Sequence, residues 1–548
     1  MSSDNNQTSA AGSEPEFGPI RKLLWPIHNY ELKKFLPLGL IMFCILFNYT
    51  LLRDTKDTLV VNASGASAIT FLKLYCVTPA AILFVILYAK LTNIMKREYV
   101  FYTVVTPFLI FFGLFGFVLY PNLDALHPSQ EILNSLNASY PRLSGFIDIW
   151  AYWSYSLFYV LAEIWGSAML ALMFWQFANQ IVRMKESKRF YGLFVVVGNV
   201  ALILSGFVVS FCSDSIKEFF PAQTSEQVWG ISLQLLMGSV VVMGIASMML
   251  YRWMHTNVLP DRRFYDGDEV AIGAGKKKKK KPGLAESFKI IISSPELGLI
   301  AMLIMAYGVT INLVEVQWKE QLKFYFAGDK GGYNGFMGQY SLWTGIFTIL
   351  FSLFIGSNIL RVVSWFKAAV ITPLFIMLGG GLFFCFILSS KDIMYLKDFV
   401  ADLLVTIGTN PITAATFLGA GIVIMSKSIK YALFDPTKEM AYIPLDDELK
   451  TKGKAAVDVI GGRAGKAGGA FVQNMLFLAF ATKDAVTIAP IAFGVFFAVC
   501  LLWVFSVKVL SKKVNAAVER RNAVDTTIKA AEVVATQQPT TTTSAQPA

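Results

Sequence analysis

Apolar segments of about 20 residues, long enough to cross a bilayer as helices, recur along this chain between shorter charged stretches. None of them shows the apolar–polar alternation of a membrane β-barrel. We therefore predict an all-α polytopic membrane protein. The twelve predicted spans are 36–52, 69–91, 99–120, 149–173, 190–212, 229–253, 297–316, 339–359, 364–388, 400–429, 453–480 and 485–508.

The amino-acid composition agrees with this class. Of the 548 residues, 55% are hydrophobic and 16% are charged, whereas a soluble protein carries about 25% charged residues. The five cysteines and three histidines are too widely spaced for a disulfide framework, a zinc motif or a histidine-based catalytic triad. This reasoning leaves a carboxylate metal site open, but we expect no metal, no cofactor and no enzymatic activity.

Lys and Arg concentrate in alternate predicted connections, which by the positive-inside rule places both termini in the cytoplasm. The connection 254–296 includes the run Lys276–Lys281, which has the composition of a nucleic-acid or nuclear-import patch. In so apolar a chain of net charge +11, we favour a solvated linker or a lipid-headgroup contact and expect no nucleic-acid partner. The other basic connections carry Lys90, Lys96, Arg97, Arg183, Lys185, Lys188, Arg189, Arg361, Lys367, Lys427, Lys430, Lys438, Lys450 and Lys452.

The basic linker divides the predicted spans into six plus six. A short internal similarity supports a repeat, because Phe47–Arg53 and Ile311–Gln317 each have an early Asn and polar residues after an apolar run. Two parallel six-helix halves with a substrate site between them are the major-facilitator arrangement. The predicted organisation is an N-terminal segment 1–35, a first half 36–253, the linker 254–296, a second half 297–508 and a disordered cytoplasmic tail 509–548.

Two pairs of cations interrupt the apolar pattern. Arg53 and Lys56 are three residues apart and share a helix face if span 1 continues through them. They are either part of a substrate path or a charge cluster at the membrane surface. Arg463 and Lys466 lie deeper, in the segment 453–480. Because burial of charge in a membrane is costly, we favour a functional role for this second pair.

The glycines around the second pair look like a phosphate-binding loop but do not fit the Walker pattern. Only three residues separate Gly461 from Gly465, Ala467 follows Lys466, and no strand precedes. Gly461, Gly465 and Gly469 recur every four residues, which predicts a close-packing face between membrane helices.

Two carboxylates, Glu163 and Glu315, also fall within predicted spans. They suggest proton coupling, gating ion pairs or substrate contacts, and the plainer alternative is an ion pair that only holds helices together. Asn48, Tyr49 and Asn312 are candidate nucleoside contacts because they neighbour the charges.

Four stretches of the chain resemble the non-mitochondrial ATP/ADP translocases, the nucleotide transporter family of plastids and of obligate intracellular bacteria such as chlamydiae and rickettsiae. The resemblance extends over both predicted halves. The stretches are Asn48–Asp57, Ala162–Ser167 with Phe174–Gln180, Asn312–Lys319, and Lys430–Gly469.

The resemblance implies exchange of ATP for ADP by a major-facilitator-like carrier. It places the family's critical charged positions on Lys56, Glu163, Glu315 and Lys466. We expect Lys56, Arg53, Arg463 and Lys466 to bind the substrate phosphates, and Glu163 and Glu315 to pair with those cations when the site holds no nucleotide. The polar N-terminus lacks the features of a transit peptide, which favours a bacterial inner membrane. We expect a functional monomer, and phosphate is a possible co-substrate.

Three alternatives stay open at this point. The first is proton-driven net import of nucleoside triphosphates, with Glu163 or Glu315 as the proton site. The second is a membrane enzyme acting on a phosphorylated substrate, and the third is a receptor that binds nucleotide without transporting it.

Overall fold

The computed structural model of this protein describes residues 21, 25–261, 263–264, 294–356, 359, 362–389, 397–442, 445 and 454–536. In this part of the chain all regular elements are helices. The run Lys276–Lys281 lies outside the described residues, as do residues 1–20 and 537–548.

We label the long helices in chain order and divide them into two sets by their place in the sequence. The N-terminal set consists of α1 (Asn29–Ser64), α2 (Ser67–Ile94), α3 (Glu98–Leu126), α4 (Trp153–Ile181), α5 (Met184–Ser213) and α6 (Ser225–Asn257). The C-terminal set consists of α7 (Pro295–Phe326), α8 (Lys330–Leu350), α9 (Trp365–Ser389), α10 (Pro411–Tyr442), α11 (Lys454–Phe480) and α12 (Ala489–Thr536). Short helices are present at Gln130–Ser139, Ser144–Ala151 and Lys397–Thr406.

Within the described residues, ten helices are long and apolar enough to cross a membrane. Helices α8 and α11 are long but more polar. Helix α11 coincides with the predicted span 453–480, whereas α8 begins nine residues before the predicted span 339–359 and only overlaps it. In α11 the apolar part is Ala467–Phe480, because charged residues occupy the first half of the helix. The polytopic helical class predicted from the sequence is therefore confirmed.

Several helices continue past the predicted ends of their spans. Helix α1 extends to Ser64 rather than residue 52, and α7 extends to Phe326 rather than residue 316. Helix α10 is displaced as a whole, because it runs from Pro411 to Tyr442 instead of from 400 to 429. A hydropathy pattern ends a span at the first charges, but a helix continues wherever those charges find partners inside the protein.

Helix α12 likewise extends beyond the predicted boundary at residue 508 and remains helical to Thr536. The segment that follows the boundary contains many Ala, Glu, Lys and Arg residues. These residues have high helix propensity, which favours continuation of the helix into the segment for which the sequence predicts disorder.

Glycine faces allow two pairs of helices to approach closely. In the α7–α11 pair, a Cβ atom added to Gly465 would lie 3.1 Å from the Cα of Met305, and one added to Gly469 would lie 2.8 Å from the Cβ of Asn312. The close-packing face predicted at Gly461, Gly465 and Gly469 is therefore confirmed. In the α5–α8 pair, which joins the two sets, a Cβ on Gly206 would lie 2.6 Å from the carbonyl oxygen of Gly338.

We expect Gly206→Ala to lower the thermal stability of the purified protein. The added methyl group would meet the backbone of α8, so the helices must separate, and overpacking of this kind costs about 1–3 kcal/mol. Gly192→Ala on the same helix is the matched control, because its Cβ would meet nothing within 4 Å. Since alanine is the better helix former, the control variant should be as stable as the wild type or more so. Equal melting temperatures for the two variants would contradict the prediction.

A buried network of charged residues between the two helix sets

Arg53 and Lys56 lie in the interior of α1, because this helix continues to Ser64. The side chain of Lys56 is only 3% exposed, so this charge is buried in the protein rather than placed at a membrane surface. A buried ammonium group needs compensating partners, since an unpaired buried charge is strongly destabilising.

Lys56 is compensated by two carboxylates. Its Nζ lies 2.8 Å from Asp57 Oδ1 and 3.0 Å from Glu163 Oε1 of α4. The same ammonium lies 3.9 Å from the centre of the Tyr159 ring, close enough for a cation–π interaction. The second oxygen of Asp57 accepts a hydrogen bond from Lys319 Nζ of α7 at 2.8 Å. Asp57 thus joins one lysine of each helix set.

Arg53 is also held between the two sets. Its Nε donates to Asp54 Oδ1 at 3.0 Å, and its Nη2 donates to the Ser341 hydroxyl of α8 at 2.6 Å. The Ser341 hydroxyl in turn donates to Asp54 Oδ2 at 2.5 Å. The guanidinium lies 5.8 Å from the ring centre of Tyr49 and 5.9 Å from that of Tyr340. Tyr49, a predicted nucleoside contact, therefore lies beside Arg53, a predicted phosphate-binding cation.

Glu315 pairs with a lysine that the sequence analysis assigned to a connection. Its Oε1 lies 2.9 Å from Lys427 Nζ, which also contacts the hydroxyl of Tyr340. The assignment of Lys427 to a connection is wrong, because α10 continues through this residue to Tyr442. Lys430 and Lys438 also lie in this helix, although the predicted span 400–429 ends before them.

We call these residues together the central charge network. Some members are accessible to solvent even though they lie among buried helices. The side chains of Glu163, Lys427, Arg53 and Glu315 are 31%, 26%, 19% and 17% exposed, respectively. The network therefore borders a space that solvent can enter. Its members are Arg53, Asp54, Lys56, Asp57, Glu163, Glu315, Lys319 and Lys427.

The other predicted site residues lie elsewhere or are only partly described. Asn48 is fully buried and its amide donates to the backbone oxygen of Val240 in α6. Asn312 accepts a hydrogen bond from Gln473 within the α7–α11 contact. The backbone of Arg463 and Lys466 belongs to α11, but both side chains lie outside the described part of the structure.

Sequence reasoning overlooked the partners that complete the network. Lys319 follows Glu315 by four residues, so both occupy one face of α7, but Lys319 fell outside the predicted span 297–316. Tyr159, Tyr340 and Ser341 carry no charge and no spacing signature. Only the fold brings them next to the predicted cations.

At one end of the assembly, which we call the closed end, polar contacts join the two helix sets. It is the end that contains Ser64 of α1 and Phe326 of α7. Here the Glu320 carboxylate accepts a hydrogen bond from the backbone N–H of Ala66 at 2.7 Å. Among the described residues, three ion pairs cross between the sets here, namely Lys217–Asp329 at 2.7 Å, Lys330–Glu226 at 2.8 Å and Lys483–Asp148 at 2.6 Å.

Asp148 is the most buried carboxylate of these three ion pairs, with a side chain that is 3% exposed. Burial raises the pKa of Asp148 above its ordinary value, while the Lys483 ammonium acts in the opposite direction. The negative charge of Asp148 is thus stabilised by a cation of the other helix set.

The opposite end differs in how its charges are paired. The ion pairs that the structure describes there join residues of the same set, as in Lys34–Glu186 at 2.7 Å and Lys513–Glu296 at 2.8 Å. These contacts stabilise each set separately. The described contacts between sets therefore favour a molecule held together at the closed end.

The network brings together charged groups that can bind ions. Among the described residues, no three His, Cys, Asp or Glu side chains are grouped so that they could hold a metal ion. The network instead offers ammonium and guanidinium groups whose present partners are carboxylates. A multiply charged anion could replace those carboxylates as the partner.

Comparison with solved structures gives the fold. The chain is similar to a bacterial homologue of the iron transporter ferroportin in its inward-facing state, with a TM-score of 0.52, 13% identity and coverage of 87% of this chain and 100% of that chain. It is similar to a D-xylose–proton symporter, with a TM-score of 0.52, 9% identity and coverage of 87% and 97%. The chain thus shares the all-helical fold of these two proteins.

Comparison with curated proteins gives much higher identities over most of the chain. The chain is 46% identical to ADP,ATP carrier protein 1 of Chlamydia pneumoniae, covering 91% of this chain and 95% of the relative. It is 43% identical to ADP,ATP carrier protein 1 of Rickettsia prowazekii, covering 93% and 99%. The family described as TLC ATP/ADP transporter matches residues 10–514. Because this match extends over most of the sequence, the chain belongs to the TLC ATP/ADP transporter family.

Proposed function

We propose that this protein exchanges ATP for ADP across a bacterial inner membrane, importing ATP from a host cell and exporting ADP. The observation that carries the proposal is the central charge network, in which Arg53, Lys56 and Lys427 meet carboxylates of the protein beside a space that solvent can enter. Family membership and the carrier names of the chlamydial and rickettsial relatives support the choice of ATP and ADP.

We further propose that α1–α12 all span the membrane as two six-helix halves, with both termini in the cytoplasm and the monomer as the working unit. The positions of α8 and α11 support this count, because both are long helices packed among the others. In this orientation the closed end faces away from the cytoplasm, and the central charge network is reached from the cytoplasmic side.

In the proposed mechanism the phosphates bind to cations of both halves. Arg53 and Lys56 contribute from the first half, and Arg463 and Lys466 contribute from the second. The phosphate oxygens take over the role of Glu163 and Asp57 as partners of Lys56, and that of Asp54 as partner of Arg53. Charge-assisted hydrogen bonds between these groups and phosphate are strong, so one set of pairs can replace another at small net cost.

Exchange follows from this replacement. Lys319 of the second half and Lys56 of the first half share Asp57, so a phosphate bound to Lys56 weakens the link that holds the halves together. Without nucleotide, Asp57 keeps both lysines and the link between the halves stays intact. Nucleotide on either side therefore permits the movement, and its absence slows it.

The adenosine is proposed to lie near Tyr49, whose ring faces Arg53. Asn48 and Asn312 remain candidates on sequence grounds, although each contacts a neighbouring helix in this conformation. Either would need the helices to shift before it could reach a base.

Import of ATP against export of ADP carries one net negative charge inward. A membrane potential that is negative inside opposes this by about 2.3 kcal/mol per 100 mV. We propose that a high ATP/ADP ratio outside, co-transport of phosphate, or both supply the driving force.

We expect purified protein in liposomes to take up labelled ATP when the vesicles contain ADP and to take up little when they are empty. Protein-free vesicles loaded with ADP provide the background. Equal uptake into empty and ADP-loaded vesicles would overturn obligate exchange and point to net nucleotide import, and a proton gradient would then be varied. Chromatography of the ATP recovered from the vesicles separates transport from enzymatic turnover, since a carrier leaves the nucleotide intact.

A further inference from the structure

Lys73 lies close to the central charge network but belongs to a helix that contributes none of the network's residues. It is the second residue of a π-helical turn, Leu72–Val77, within α2. Such turns shift the register of the side chains that follow and are frequent at functional sites. The charges that act on Lys73 include those of Lys319, Glu315, Glu163 and Lys56. Its side chain is partly exposed, as are those of Glu163 and Glu315.

Lys73 differs from the cations of the network in its pairing. Within the described part of the chain it forms no ion pair and its ammonium donates no hydrogen bond. By contrast, Lys56, Lys319, Lys427 and Arg53 each lie within 3.0 Å of a carboxylate. The four carboxylates of the network are therefore already engaged by its four cations.

An ammonium group without a partner is costly among packed helices, and a purely structural role would be better served by a neutral side chain of similar length. The cost is reduced when an anion binds. An anion can bind to Lys73 without breaking an existing ion pair, whereas binding to a cation of the network requires that an ion pair break. An incoming polyphosphate gains the full interaction with Lys73 without displacing a carboxylate.

We propose that Lys73 binds the phosphate chain of the transported nucleotide and sets the affinity of the carrier for polyanionic substrates. This inference rests on the proposed function. It assigns two roles to two kinds of cation. Lys73 determines how tightly the anion is held, whereas the paired cations couple anion binding to movement of the halves. The helix of Lys73, α2, contacts α11, the helix of Lys466. The Asn474 amide of α11 donates a hydrogen bond to the Thr70 carbonyl oxygen of α2 at 3.2 Å.

The test is Lys73→Gln in the liposome exchange assay. We expect the KM for external ATP to rise roughly ten- to a hundredfold, the range expected for losing a hydrogen bond between charged groups. We expect kcat at saturating ATP to change less than about threefold, because the ion pairs of the network remain intact. Lys73→Arg should restore most of the affinity, and Lys90→Gln, an exposed lysine of the same helix, should leave both constants unchanged.

A binding measurement separates failure of this inference from failure of the proposed function. Thermal unfolding of the detergent-purified protein is followed with ATP, with ADP, with inorganic phosphate and without additions. Removal of an unpaired charge should leave the melting temperature without nucleotide unchanged or raise it, while the stabilisation by ATP and ADP shrinks. If Lys73→Gln keeps the wild-type KM and the wild-type nucleotide stabilisation, the inference is wrong even though exchange stands. If wild-type protein shows no ADP-dependent ATP uptake, the proposed function fails, and the melting curves alone decide whether Lys73 binds an anion.

Discussion

Lys56→Gln is expected to reduce ATP/ADP exchange by about 100-fold or more. The substitution removes one ammonium group from two carboxylates at once, since Lys56 contacts both Asp57 and Glu163. Removing one partner of a buried ion pair costs about 3–5 kcal/mol. The substitution removes the proposed contact of Lys56 with the substrate phosphates, so the affinity for nucleotide should fall. It also removes the ion pairs that Lys56 forms when no nucleotide is bound, so the turnover should fall as well.

The measurement is ADP-dependent uptake of labelled ATP at equal amounts of reconstituted protein. Lys33→Gln is the matched control, because Lys33 is an exposed lysine of the same helix. The double variant Lys56→Gln, Glu163→Gln should recover thermal stability relative to Lys56→Gln, since it removes a carboxylate that has lost this cation. It should not recover transport. Exchange by Lys56→Gln at the wild-type rate would exclude Lys56 from the transport cycle.

Asp57→Asn is expected to open the closed end and to slow exchange by at least about tenfold. Asp57 is 3% exposed and holds Lys56 of α1 and Lys319 of α7 with its two oxygens. The neutral amide cannot compensate two buried ammonium groups, so their repulsion separates the helix sets at this level. A destabilisation of about 3 kcal/mol or more is enough to shift a two-state equilibrium by about two orders of magnitude.

Opening can be measured as a distance. Spin labels at Glu131 and Thr487, both exposed and on opposite sets at the closed end, report the separation in a variant whose native cysteines have been replaced. We expect a longer and broader distance distribution in Asp57→Asn. Asp124→Asn, an exposed carboxylate of the same end, should leave the distribution unchanged. If Asp57→Asn leaves it unchanged as well, the other ion pairs of the closed end, such as Lys483–Asp148, hold this end without help from Asp57.

The α1 and α7 helices show which part of the site could be read from the sequence. A charge within an apolar segment is costly, and so the sequence marks Glu163 and Glu315 as functional candidates. Lys56 follows the predicted end of span 1, and the sequence left it open between a substrate path and a surface cluster. The same reasoning ended span 1 before Arg53 and span 7 just after Glu315. The charges that mark the site are also those that interrupt the hydropathy signal, and the helices in fact continue through them.

The partners of these residues could not be found in this way. Lys427 is 112 residues from Glu315 in sequence, and Ser341 is 288 residues from Arg53. Pairing across such separations depends on how α1, α7, α8 and α10 pack together. The glycine face of α11 was predictable because its four-residue period is local, whereas the contact between Gly206 and Gly338 joins two helices with no shared pattern.

The sequence by itself determined the class of this protein, the approximate positions of its helices and the charged residues that interrupt its apolar segments. All three depend on local composition and on the cost of burying charge in a membrane. The tertiary structure alone decided which carboxylate holds which cation, that Lys427 belongs to the site, that Asn48 and Asn312 contact other helices in this conformation, and that Lys73 is left without a partner among the described residues. Those outcomes depend on the three-dimensional distance between helices, and electrostatic pairing is decided by distances of a few ångströms that no linear pattern specifies.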